Sequence, residues 1–171
     1  PDIGYSTDID TVMASSYQVK KQLQQIVRIE QPITNTLLYK RILRIWNLTR
    51  VTTRLQVFID SLLEDAYKDP LSGDTIIYWE NKEKAKDCDF YRINSKRDIL
   101  DIPILEVMSA ARYAIEQQIS MPIEDLKRLT SQLLGFSRKG NNLDMVTEQT
   151  IQLLINKGIF SHANGMVSMN N

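Results

Sequence analysis

The sequence predicts a mainly α fold with short β-hairpins, in which a set of three helices and a hairpin occurs twice in tandem. Three observations carry that prediction. Apolar residues recur at three- and four-residue steps in several separate stretches, the period of an amphipathic helix. Two other stretches, around residues 75–80 and 159–169, switch to short runs of β-branched and aromatic residues beside turn signals. The order of these patterns over residues 17–100 is met again over residues 101–171.

Residues 1–16 carry little apolar pattern and no initiator Met, and are expected to be a linker cut from a longer polypeptide. Val19, Leu23, Ile26 and Val27 then mark a helix over Tyr17–Ile29, ended by Pro32. Thr34 suits the N-cap of a second helix, with Leu37, Leu38, Ile42 and Ile45 on one side and Lys40, Arg41 and Arg44 largely on the other. Asn47 and Thr49 interrupt the pattern, and Thr49 caps a third helix running to about Tyr67 with Val51, Leu55, Phe58 and Leu62 as its stripe. Those four, with Leu23, Ile26, Leu38 and Ile42, are the expected core, and Phe58 is expected to be fully buried. Pro70 and Gly73 mark a turn, "TIIYWE" and "DFYRI" read as two strands, and the charged "NKEKAKDCD" between them reads as the hairpin tip.

In the second half, Val107, Met108, Ala111, Ile115 and Ile119 predict a helix over Ile104–Ile119. Pro122 fits the first turn of the next, with Glu124 and Asp125 near its positive end and Leu126, Leu129, Leu133 and Leu134 as its apolar side. "GFSRKGNN" is a glycine-bounded loop, a third helix spans about Leu143–Lys157, and Gly158 stops it. "IFSHANGMVSM" reads as a small hairpin around Asn164-Gly165. Three helices followed by a hairpin is the order of a winged helix, so 17–100 and 101–171 are expected to be tandem winged-helix-like modules. Sequence identity between the halves does not by itself establish a repeat.

Composition and chemistry narrow the function. With 43% hydrophobic and 25% charged residues the chain is an ordinary globular sequence, and no apolar run approaches the roughly 18 residues of a membrane helix, so no membrane partner is expected. One cysteine, Cys88, excludes an internal disulfide and suits a reducing cytoplasm. His162 is the only histidine and sits beside a turn; with Cys88 it cannot supply the ligands of a structural zinc site. "GFSRKG" lacks the ending of a phosphate loop and follows no strand. Glu64/Asp65 and Glu124/Asp125 are adjacent in sequence and do not face one another on a helix. No cofactor, metal or catalytic set is therefore expected, and the chain is read as a non-enzyme.

The remaining signal is charge distribution. The formal net charge is zero, yet residues 17–58 hold eight Lys/Arg against the single acid Glu30, whereas 59–101 hold eleven acids against seven bases. Bases on a helix face are most often mere solvation. Here, however, Arg50 and Arg54 fall at the start of the third helix, where the helix dipole disfavours cations and a recognition helix meets nucleic acid. The nucleic-acid-binding residues are expected to be Lys40, Arg41, Arg44, Arg50, Thr53 and Arg54, with Arg41 and Arg44 touching backbone from the supporting helix. In the second module, Asn142, Asp144, Glu148, Gln149 and Gln152 face outward on the third helix; two acids there would repel phosphate, so that module is expected to serve packing or protein contact.

The segments "EQPI" (30–33), "KRI" (40–42), "TR" (49–50), "YWE" (78–80), "YR" (91–92), "DIPILEV" (101–107) and "LLGFSR" (133–138) come in an order that resembles the uncharacterised C-terminal domain of large bacterial superfamily I helicase-related proteins, which carry motor segments and a Vsr-like endonuclease domain elsewhere. The resemblance covers about residues 17–160 and implies a role in DNA transactions, with other domains of the parent polypeptide as partners. Motor and nuclease motifs are absent here, so it implies no ATPase or nuclease activity for this chain. That family usually has a glycine where this chain has Asn47, and Asn tolerates the left-handed backbone such a turn requires. The expectation is a non-catalytic module that binds or positions DNA through the basic face; the alternative is a docking or dimerisation domain without DNA contact.

Overall fold

The computed structural model describes residues 7–71, 73–86, 88–93 and 96–170. Among them the chain is mainly helical, with eight α-helices and two small three-stranded antiparallel sheets. It divides into two compact units, Pro1–Asp87 and Cys88–Asn171.

The first unit begins with α1 (Ile9–Ala14), inside the stretch expected to be a linker. Val12 is fully buried there and joins the core of the unit, so 9–14 is structured for an apolar reason; residues 1–6 of the expected linker lie outside the described residues. α2 (Ser16–Glu30) buries Val19, Leu23 and Val27 at successive four-residue steps. Gln31, restricted by Pro32 to extended backbone, ends it. β1 (Ile33–Thr34) leads into α3 (Asn35–Ile45), capped by the Thr34 hydroxyl, which accepts a bond from Leu37 N at 3.3 Å.

α3 stops through a pair of reverse bonds, Leu48 N to Leu43 O at 2.9 Å and Asn47 N to Arg44 O at 3.5 Å, with Asn47 left-handed at φ 50. This is a Schellman cap in which Asn replaces the usual glycine. α4 (Thr53–Leu62) is capped by Thr52, which accepts from Leu55 N at 3.2 Å. The third helix thus starts at Thr53 rather than after Thr49, and ends at Leu62 rather than near Tyr67. Its inward positions are Leu55 and Ile59, followed by Leu63 just past its end, while Phe58 and Val51 are only half-buried against the core. Ile45, expected inside, is 50% exposed.

β2 (Tyr67–Lys68) and β3 (Ile77–Trp79) complete a sheet of order β1-β3-β2, with Ile33 opposite Tyr78 and Tyr67 opposite Trp79. The "TIIYWE" strand is real, but its partners are not "DFYRI". The expected hairpin tip instead contains a short helix, α5 (Lys82–Lys86), and Phe90–Ile93 is not a strand.

In the second unit, Arg92 and Arg97 are held by a buried carboxylate. Glu106, fully buried on α6 (Ile104–Glu116), takes two bonds of 2.8 Å from the Arg97 guanidinium and further bonds from the Arg92 backbone N–H and guanidinium. Burial alone would raise the Glu106 carboxyl, but its bonds from Arg97 and Arg92 outweigh that and hold it below the ordinary range. α6 ends at Glu116, three residues before Ile119, which is 95% exposed instead of lying on the buried stripe. β4 (Met121–Pro122), α7 (Ile123–Leu133), α8 (Asn141–Asn156), β5 (Phe160–Ala163) and β6 (Met166–Met169) follow, and the sheet order is β4-β6-β5. The β5–β6 turn places Asn164 and Gly165 both at positive φ, as the expected tight hairpin requires.

The two units repeat one another. Ser16 and Ile104, Ile33 and Met121, Asn35 and Ile123, Ile45 and Leu133, and Thr53 and Asn141 bound equivalent elements at a constant offset of 88 positions. Buried residues follow the same offset: Val19 and Val107, Val27 and Ile115, Leu38 and Leu126, Leu55 and Leu143. The strand order, first–third–second, is the same in both sheets.

Candidate nucleic-acid interface

Two helices and the turn between them place the cations of the first unit. Lys40 and Arg44 lie four residues apart on α3 and therefore share a face; both are exposed. Arg50 is exposed in the turn at 46–52, which the Asn47 cap and the Thr52 cap hold at its two ends. Arg44 and Arg50 make no ion pair among the described residues. Arg50 precedes α4 instead of occupying its first turn, and Thr53, exposed, is the first residue of that helix.

The other two arginines are engaged. Arg41 forms a two-pronged pair with Glu30 of α2, Nε to Oε1 at 2.8 Å and Nη2 to Oε2 at 2.8 Å, so it ties α3 to α2. Arg54 on α4 pairs with Asp10 of α1 at 2.7 Å, both side chains more than half exposed. Thr7 N also donates to Asn47 O at 3.3 Å, bringing the chain before α1 against the α3–α4 turn. Asp10 was hidden from sequence reasoning by the linker assignment; its place at the second position of a short helix with one buried Val was the available signal.

A polar cluster sets the position of α4. The Tyr39 hydroxyl on α3 donates to Asp60 Oδ1 at 2.7 Å, and Tyr78 of β3 reaches the same oxygen at 3.5 Å. Burial first, then the bond to Asp60, pushes Tyr39 up to about 12, and burial raises Tyr78 further. Trp79 Nε1 donates to the buried Asp69 at 3.0 Å and Trp46 Nε1 to Gln22 at 2.8 Å, so both indoles are satisfied inside the unit. These groups orient helices.

A groove of about 450 Å3 on the same unit, between α2, the end of α4 and β3, is flanked by the pairs Lys20–Asp65 and Arg28–Glu80, each at 3.6 Å. No group of three or more His, Cys, Asp or Glu that could hold a metal ion occurs among the described residues, and none of their helices is long and apolar enough to cross a membrane. His162 is exposed on β5 beside the hairpin turn.

A family model described as a protein of unknown function (DUF3320) matches residues 14–57, from the end of α1 to the middle of α4. That stretch holds all the cations of the candidate interface. The match is to an uncharacterised family and carries no helicase or endonuclease association. No curated protein and no solved structure matches the chain.

Proposed function

We propose that this chain is a pair of winged-helix-like modules that binds and positions DNA without acting on it chemically, through the α3–α4 corner of the first unit. The helix–strand–helix–helix–strand–strand order of each unit, with the first strand pairing to the third, supports the winged-helix reading. Fold alone does not select a function. The observation that carries the DNA reading is the pair Arg44 and Arg50: exposed, one just before and one within the same turn, with no internal carboxylate to neutralise them among the described residues. Lys40 extends the same surface, and exposed Thr53 adds a hydroxyl at the start of α4, whereas Arg41 and Arg54 act first as ties to α2 and α1. Phosphate contacts of this kind set affinity and register without reading bases. The resemblance in sequence implies a helicase- or nuclease-related parent protein, with this module as an accessory part needing no cofactor, in a cytoplasmic setting that suits a chain with one cysteine, Cys88.

The double variant Arg44→Ala/Arg50→Ala tests this. It is expected to weaken duplex binding and to make the salt dependence shallower by roughly 1.8 in log–log slope, with an unchanged melting curve. Unchanged binding rejects the site. A docking role has its own support in Val57, 65% exposed on the outer side of α4, and Ile45, 50% exposed at the end of α3. It predicts that Val57→Asp abolishes association with the rest of the parent protein while Arg44→Ala/Arg50→Ala does not.

A further inference from the structure

The offset of 88 positions extends into the turn that carries Arg50. In the second unit α7 ends in the same reverse-bond pair as α3: Phe136 N to Ser131 O at 3.0 Å and Gly135 N to Gln132 O at 2.9 Å, with Gly135 left-handed at φ 91. Gly135 is thus the counterpart of Asn47, and Gly140, the N-cap position of α8, is the counterpart of Thr52. Between these fixed ends, Leu48-Thr49-Arg50-Val51 corresponds to Phe136-Ser137-Arg138-Lys139. Arg138 therefore stands at the position of Arg50, and Arg128 of α7 at the position of Lys40. Arg138 and Lys139 are exposed and make no ion pair among the described residues; Arg128 pairs with Asp125 at 3.1 Å with both side chains more than half exposed. The turn borders a cavity of about 600 Å3 between α7 and the start of α8.

The two acids that argued against phosphate here are already occupied. Asp144 and Glu148 on α8 hold the buried ammonium of Lys127 at 2.8 and 2.9 Å, and Glu124 adds a third contact at 3.3 Å. Burial would lower Lys127, but Asp144, Glu148 and Glu124 keep it charged, above its ordinary value. Lys127 and Glu148 are the counterparts of Tyr39 and Asp60, so this is the second unit's version of the tie that sets its third helix. Around the turn, the acids Glu124, Asp125, Asp144 and Glu148 are matched by Lys127, Arg128, Arg138 and Lys139, and the two cations left outside any pair lie on the turn itself.

We infer that the second unit carries a second contact for the DNA backbone, with Arg138 and Lys139 each taking a phosphate and Arg128 supporting them from α7. This rests on the DNA reading of the first unit and doubles it: each unit presents the same kind of turn to phosphate. Neither hairpin tip brings a Lys or Arg of its own, so the turn before the third helix is the cationic feature the two units share.

The test is titration of labelled duplex with the full chain and with Arg138→Ala/Lys139→Ala, over a series of salt concentrations. A second variant, Arg112→Ala/Lys157→Ala, removes equal charge from exposed positions of the same unit. The expected result is a several-fold loss of affinity and a slope shallower by about 1.8 for Arg138→Ala/Lys139→Ala, an unchanged slope for Arg112→Ala/Lys157→Ala, and unchanged melting for both. If Arg44→Ala/Arg50→Ala lowers the slope while Arg138→Ala/Lys139→Ala does not, the second contact is overturned and the first unit's role stands. An equal effect from Arg112→Ala/Lys157→Ala also overturns it, because general charge would then explain the loss. Absence of any binding by the parent chain overturns both readings.

Discussion

Replacing Glu106 by Gln keeps the side chain's shape and removes one buried charge. In the parent, the Glu106 carboxylate is fully buried and accepts from Arg97, whose side chain is 4% exposed, and from Arg92, 31% exposed. Gln offers one acceptor oxygen where the carboxylate offered two, and its amide nitrogen points a donor at guanidinium donors. Arg97 is then left as a buried cation without its counter-charge. Breaking a buried pair in this way costs roughly 3–5 kcal/mol, and in a unit of this size each kcal/mol lowers Tm by roughly 4–8 °C. Even the lower figure predicts a fall of roughly 12–24 °C, followed by far-UV circular dichroism, with faster amide exchange along α6.

The effect also has a pH signature. Because the folded carboxyl lies below its ordinary value near 4.5, its contribution to stability is complete above that value and is lost as pH falls through the folded one. Parent and variant should therefore converge in acid and differ fully from pH 5 upward. A variant that melts within roughly 4 °C of the parent at pH 7 would refute the buried-charge account.

In the first unit, where both tryptophans lie and fluorescence reads unfolding, Ile59→Ala should cost about 2–5 kcal/mol, while Val57→Ala should stay within about 0.5. Thr52→Ala removes the cap of α4 and should cost about 1 kcal/mol, whereas Thr49→Ala, at the cap position the sequence suggested, should cost markedly less. Alkaline absorbance titration should show a phenol ionising near pH 12 that vanishes in Tyr39→Phe; since its folded value is raised, its contribution to stability holds below pH 10 and is lost as pH rises through about 12.

Helical periodicity locates the six long helices among the described residues, because their buried stripes run over enough residues to show a period. Errors came where the signal is shorter than its period. Two-residue strands such as Ile33–Thr34 and Tyr67–Lys68 contain no alternation to read, so the sequence points to "DFYRI" as the partner of Ile77–Trp79 where the fold uses those two. "LTRVTTR" offers three threonines, each a chemically valid cap; choosing Thr49 instead of Thr52 moved the helix start and put Phe58 inside in place of Ile59. The basic segment was legible as composition. Which cations remain available was not, because Arg41 is taken by Glu30 and Arg54 by Asp10, partners that only chain folding brings near. The same holds for Glu106 with Arg92 and Arg97, and for Lys127 with Asp144 and Glu148. The repeat was visible only as an order of elements; the caps at Asn47 and Gly135 turn it into a residue-by-residue correspondence.

The most direct measurement of the central claim is the salt dependence of duplex binding by the unaltered chain. Arg44 and Arg50 alone predict a log–log slope of about −1.8, and Arg138 and Lys139 carry it to about −3.6. Tight binding at low salt that falls with a slope in that range is the predicted result. No binding at about 50 mM salt, or binding whose strength does not change with salt, would contradict the account.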